Sequence, residues 1–307
     1  MGTRPVTLCT AQWADVPFDE LCVLAKKMGY DGLEVACWGE GIDIDKALTD
    51  DSYVAWIKDN LAKNGLVMKA MACHIIGQCV GDLPDPRLDN FAPPALAGQP
   101  EAIQKWAVET MKKAPAAAAK FGVKIITGFT GSPIWRYLYS FPQTPESMVE
   151  EGFDKIVSLW TPILDEFKKY GVVFALEVHP GEIAFDYYST KKLLEKFADR
   201  PEFGLNFDPS HLIWQGMDPV MVIRTLGEAI FHFHAKDTKV DPYNTAVNGV
   251  LDTKHYSDEA HRSWIFRSVG YGLDYNKWKE IMSALRLVGY DYAISIEHED
   301  GLMSPGE

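Results

Sequence analysis

Eight short apolar runs recur along the chain, and longer stretches with helical spacing lie between them. The runs are 7–13 (TLCTAQW), 32–37 (GLEVAC), 67–74 (VMKAMACH), 124–131 (KIITGFTG), 172–179 (VVFALEVH), 203–211 (FGLNFDPSH), 230–237 (IFHFHAKD) and 291–300 (DYAISIEHED). Their length, composition and flanking turn residues mark strands. FDELCVLAKKMG, ESMVEEGFDKIVSLWTPILDEFKKYG and DYNKWKEIMSALRLVGY repeat apolar residues on one helical face. Four strands follow a helix that stops in glycine, in MGYDGLEV, NGLVMKAM, FGVKIITG and YGVVFALE. Eight strands alternating with helices in 307 residues predict a single (β/α)8 TIM barrel over 1–307. A doubly wound open sheet is the rival. Its dinucleotide-binding version is weakened because no G-x-G-x-x-G follows the first strand. Two insertions, 75–100 and 238–273, follow strands and so should overlie the top face. The chain ends ten residues after Glu297. The barrel is therefore expected to lack a complete eighth helix. The seam between the last and first strands should then be covered by another subunit or by a loop such as 75–100.

Side-chain alternation places polar groups on the axial face of the last four strands. In FALEVH, Phe174, Leu176 and Val178 share one face, while Ala175, Glu177 and His179 share the other. Leu205 and Phe207 oppose Asn206 and Asp208. Phe231 and Phe233 oppose His232, His234 and Lys236. Ile294 and Ile296 oppose Ser295, Glu297 and Glu299. In a barrel, Glu177, Asp208, His234 and Glu297 converge at the catalytic face. Three carboxylates in one small volume require a compensating charge, which a divalent cation supplies. Three oxygens and one nitrogen suit Mn²⁺ first, then Mg²⁺ or Co²⁺, with Zn²⁺ also compatible. Taken one at a time, each residue also reads as an isolated polar strand end; four at matching depth argue against that.

Composition narrows the function classes. Apolar residues make up 47% and charged residues 24%, which gives material for a sizeable core. The net charge of −13 argues against a nucleic-acid partner, which needs a basic stripe. There is no signal-peptide pattern and no run of 18 apolar residues, so no membrane partner is expected. Five cysteines without a C-x-x-C pair read as buried free thiols, in keeping with a cytoplasmic protein.

The segments ALEVHPGEIAFD, GLNFDPSHLIWQG, FHFHAKD and SIEHED resemble the xylose isomerase-like sugar isomerase/epimerase TIM barrels. That superfamily includes ketose 3-epimerases, inosose dehydratase, hydroxypyruvate isomerase and metal-dependent AP endonucleases. HPGEIAFD and HAKD look most like its sugar phosphate isomerase/epimerase members. The resemblance covers nearly the whole chain. It implies a metal site at Glu177, Asp208, His234 and Glu297, an acid/base pair at Glu177 and Glu297, and a substrate-holding role for His211.

The chemistry expected is proton transfer on a keto-sugar through an enediolate. The metal polarises the oxygens, and one glutamate stands on each face. A dehydratase or hydratase using the same parts is the alternative. His74, His179, Lys236 and Arg267 join His211 as candidate substrate contacts. Glu34 and His232 are further axial candidates. The expected partner is a small carbohydrate, and a homo-oligomer is compatible with the exposed seam.

Overall fold

The computed structural model describes residues 4–303. Its strands are β1 (Val6–Cys9), β2 (Gly32–Ala36), β3 (Val67–Ala72), β4 (Ile125–Gly128), β5 (Val173–Glu177), β6 (Phe203–Phe207), β7 (Ile230–Ala235), β8 (Asp237–Val240), β9 (Trp264–Arg267) and β10 (Ile294–Ile296). Its helices are α1 (Phe18–Met28), α2 (Ile44–Thr49), α3 (Asp51–Lys63), α4 (His74–Gly81), α5 (Pro100–Phe121), α6 (Glu146–Tyr170), α7 (Tyr187–Lys196), α8 (Pro209–Ile213), α9 (Pro219–Leu226), α10 (Pro242–Asn248) and α11 (Tyr275–Leu287). Eight parallel strands close in the order β1-β10-β7-β6-β5-β4-β3-β2, an α/β TIM barrel. The predicted runs are longer than the strands because their last residues turn inward or enter a helix. Gly29 (φ 94°) and Gly171 (φ 60°) end α1 and α6 in the left-handed conformation the sequence punctuation called for.

Outward-facing Leu8, Leu33, Val35, Met71, Ile126, Phe174 and Leu176 bury against the helix layer, with Trp160, Ile163 and Phe167 of α6 at its centre. Leu205, Phe207 and Phe233 do the same against Ile223 of α9 and Trp278, Ile281 and Leu285 of α11. Each such side chain contributes about 1.5–3 kcal/mol on burial. Inside the barrel the floor is apolar, with Phe231 and Tyr292 packed on Ala70, Ile125 and Ala175. Strict alternation sends Phe231 outward. The register shift between β6 and β7 at Leu205/Asn206 overturns this, and Phe231 fills the barrel floor instead.

The two insertions differ from expectation. Residues 75–100 form α4 and two 3₁₀ turns that pack on α5, so they do not cover the seam. The second insertion contains an unpredicted antiparallel hairpin, β8–β9. Its Phe266 ring stands 5.2 Å from His211, and Trp264 stacks on Trp214 at 4.5 Å. The hairpin thus roofs one side of the barrel mouth. No helix follows β10 among the described residues. All five cysteines are buried free thiols. No described helix is long and apolar enough to cross a membrane.

Candidate active site

Above the apolar floor lies a polar layer centred on Glu34. This β2 residue is fully buried. It accepts hydrogen bonds from His232 Nε2 (2.8 Å), Ser295 Oγ (2.6 Å), Thr127 Oγ1 and His234 Nε2 (2.9 Å). A carboxylate can only accept, so His234 carries a proton on Nε2, which aims its Nδ1 up the axis. Burial pushes the Glu34 carboxyl up, but His234 and His232 outweigh it and hold the group well below the ordinary carboxylate range. The sequence marks Glu34 only as an axial candidate. Its depth makes it instead the support that orients His234.

The top layer brings Glu177, Asp208, His234 and Glu297 together, with one ligand-type atom from each lying within 4.8 Å of the others. Glu177 ends β5. Asp208 follows β6, where Pro209 stops the strand and starts α8. Its Oδ1 caps that helix by accepting from Ser210 N at 2.8 Å, which leaves Oδ2 for the axis. Asp208 Oδ2, His234 Nδ1 and Glu297 Oε2 are buried and make no well-aligned hydrogen bond, although Lys236 Nζ and His211 Nε2 lie 3.1 and 3.2 Å from Asp208 Oδ2. His234 Nδ1 is only 2.8 Å from Glu297 Oε2 and 3.2 Å from Glu177 Oε2. Lys236 Nζ reaches Asp208 and Glu297, each at 3.1 Å. With the His234 ring neutral, as a metal-ligating imidazole must be, three carboxylates against one ammonium leave two negative charges, the charge of one divalent cation. Donor atoms converging in an acidic, buried volume are what a hard cation requires, so these four residues fit a metal centre.

A family model described as xylose isomerase-like TIM barrel matches residues 22–307. The chain belongs to that family. Among similar proteins, YfiH of Bacillus subtilis (strain 168) is 29% identical over 306 residues, covering 94% of this chain and 91% of YfiH. The fold is similar to that of the probable 3-DHS dehydratase AsbF involved in petrobactin synthesis, from Bacillus anthracis. Their TM-score is 0.66 at 17% identity, over 96% of this chain and 92% of AsbF. It is equally similar to the E. coli 3-keto-D-glucoside 4-epimerase YcjR, with TM-score 0.66 at 12% identity, over 97% and 93% of the two chains.

In this xylose isomerase-like barrel the other predicted residues divide into two groups. His74 Nε2 (3.0 Å), His211 Nε2 (3.1 Å) and Asn206 Nδ2 (3.1 Å) all donate to Glu177. Burial opposes ionisation of Glu177, yet His234, His211 and His74 hold its pKa well below the ordinary value. His179 is half-buried and packs edge-on against His211, with ring centres 3.9 Å apart. Lys236 lies in the cluster, over the Phe266 ring at 4.8 Å. Arg267 is not brought there. It sits in β9, where its Nε donates to Asp300 at 3.0 Å, so this candidate substrate contact is engaged by a carboxylate outside the cluster. Asp237, beside Lys236, fastens the 270–273 turn by accepting from Gly270, Gly272 and Leu273 N–H groups and from Trp278 Nε1. Sequence reasoning missed Gln12, whose Nε2 reaches Glu297 at 3.4 Å, and Asn206 as a donor. Asn206 had the right strand parity, but nothing in the sequence singled it out as a donor.

Proposed function

We propose that the protein is a divalent-metal-dependent sugar isomerase or epimerase that transfers a proton between Glu177 and Glu297 on a keto-sugar, through an enediolate. The observation that carries the reading is the convergence of both glutamates with Asp208 Oδ2 and His234 Nδ1 in one buried volume. Glu177, Asp208, His234 and Glu297 would hold the cation, with Mn²⁺ the first choice. When bound, it supplies a Lewis acid that polarises the substrate's carbonyl and hydroxyl oxygens.

The chain's own groups do the rest. Glu177 is ionised and fixed by three donors, which suits it to remove a carbon-bound proton. Glu297 comes from a strand on another side of the barrel, so it can return a proton to the opposite face. Lys236 and Gln12 orient it. Lys236, His179 and His211 are the proposed substrate contacts. The hairpin roof limits water at the reacting carbon.

A second reading is a dehydratase or hydratase, in which one glutamate protonates a leaving hydroxyl. The likeness to AsbF, a probable dehydratase, supports it. Incubating Mn²⁺-loaded protein with a panel of ketoses in D₂O distinguishes the two by mass spectrometry. Epimerisation by proton transfer places deuterium beside the carbonyl in a sugar of otherwise unchanged mass. Elimination gives a product lighter by one water. Converted sugar without deuterium would overturn the proton-transfer reading.

A further inference from the structure

Glu182 lies in the loop after β5 and takes no part in the proposed proton transfer. The residue is only 1% exposed, and a carboxyl group is costly to bury. Its Oε2 collects donors from the loop after β4. Thr130 N and Gly131 N donate to it at 2.8 and 2.7 Å, and Thr130 Oγ1 lies 3.2 Å away. One carboxyl oxygen thus ties the β5 loop to the β4 loop.

The segment it grips, 130–132, is itself held on two sides. Trp160 Nε1 of α6 donates to Thr130 O at 3.1 Å, and Ser132 N donates to Oδ1 of Asp82, just past α4, at 2.7 Å. Gly131 (φ 72°) packs so closely on α4 that a Cβ there would stand 2.5 Å from Gln78 O. The segment is therefore a firm anchor for whatever Glu182 carries.

What it carries is His179. Glu182 N donates to His179 O at 2.9 Å and His179 N donates to Ala184 O at 3.2 Å, which closes 179–184 into one turn. Among the described residues the His179 ring makes no hydrogen bond, so its turn and its packing place it. The ring lies 5.0 Å from Phe129, beside the gripped segment, and 3.9 Å from His211. His211 Nε2 in turn donates to Glu177 at 3.1 Å. Packed rings lead from the Glu182 anchor to the proposed base.

We propose that Glu182 is a positioning residue. By pinning the 179–184 turn to residues 130 and 131 it sets the reach of His179 into the site and the seat of His211 on Glu177. The proposal rests on the roles given above to His179, His211 and Glu177, and its first test needs no substrate.

NMR of the Mg²⁺-loaded full chain, labelled with ¹³C and ¹⁵N at histidine, reads the rings, with signals assigned through His179→Gln and His211→Gln. Glu182→Ala removes the acceptor. It should move the signals of His179 and His211 and leave those of His232, which Glu34 holds, in place. Glu182→Gln keeps a carbonyl oxygen for Thr130 and Gly131 and should restore both. Trp160→Phe loosens the same segment from the α6 side, so it should lower the unfolding midpoint without moving the His179 signals. Should Glu182→Ala fail to fold, Glu182→Asp, whose shorter arm keeps the charge but not the reach, should move the same two rings. Unmoved rings in the variant that folds, no rescue by glutamine, or equal movement in Trp160→Phe overturns the proposal. In any ketose that exchanges deuterium, Glu182→Ala should slow exchange by about 10–100-fold, with Glu182→Gln near wild type. If no ketose exchanges, the keto-sugar reading fails and the ring signals still decide the role of Glu182.

Discussion

The two halves of the barrel mouth end in different chemistry. β5, β6, β7 and β10 deliver Glu177, Asp208, His234 and Glu297. The last inward residues of β1 to β4 are Cys9, Ala36, Ala72 and Thr127, all small. A cluster of three carboxylates needs volume that the facing wall does not occupy. The small half is not passive, however. Its Glu34 reaches across the axis, one layer down, and fixes which nitrogen of His234 faces the cluster. The proposed reacting groups come from one half of the barrel, and part of their orientation comes from the other.

The largest expected effect breaks the chemical half directly. Glu177→Gln or Glu297→Gln should lower turnover by about 10²–10⁴-fold, the scale of a lost general acid or base. Metal content measured in the same samples separates lost chemistry from lost cation. The next effect sharpens the role of the supporting half. Glu34→Gln cannot accept from His232, His234, Ser295 and Thr127 together, so His234 loses its fixed tautomer. Metal affinity, read by competition with a chelator, should fall about 10–100-fold, as for other outer supports of a ligating histidine. Unchanged affinity would mean that His234 is oriented by packing alone.

Filling the small wall is a milder disturbance. Ala72 is fully buried, and Ala72→Leu should cost roughly 1–3 kcal/mol by overpacking, read as a lowered unfolding midpoint. A separate, pH-dependent effect lies outside both halves. Burial and Asp82 push Glu182 up to about 8, against N–H bonds from Thr130 and Gly131. The folded chain then keeps a proton that the unfolded chain loses near its ordinary value of 4.5. Stability is fully present below that value and declines as pH rises toward about 8. Glu182→Gln, neutral throughout, should flatten the slope of denaturant stability across this window.

Much of this was legible in the sequence because strand alternation is strict wherever one face must be apolar. FALEVH, GLNFD and AISIEHED each set their polar residue on the axis, and the structure gathers those residues in one cluster. Legibility failed where a local irregularity or a distant partner decides. The β6–β7 register shift turned Phe231 inward, which no alternation rule foresees. Glu34 resembled any strand-end carboxylate, because its partners lie about 200 residues away at His232 and His234. Arg267 was placed in a top loop, but the β8–β9 hairpin holds it on Asp300 instead. A hairpin inside a long insertion leaves only a weak apolar trace, WIF at 264–266, which also reads as loop packing.

The account's central claim is that four strand ends form one divalent-cation site. Elemental analysis of protein purified without chelator tests it most directly, with His234→Ala prepared in parallel. The account predicts close to one divalent metal ion per wild-type chain and almost none in the variant. Equal metal content in the two proteins would contradict it.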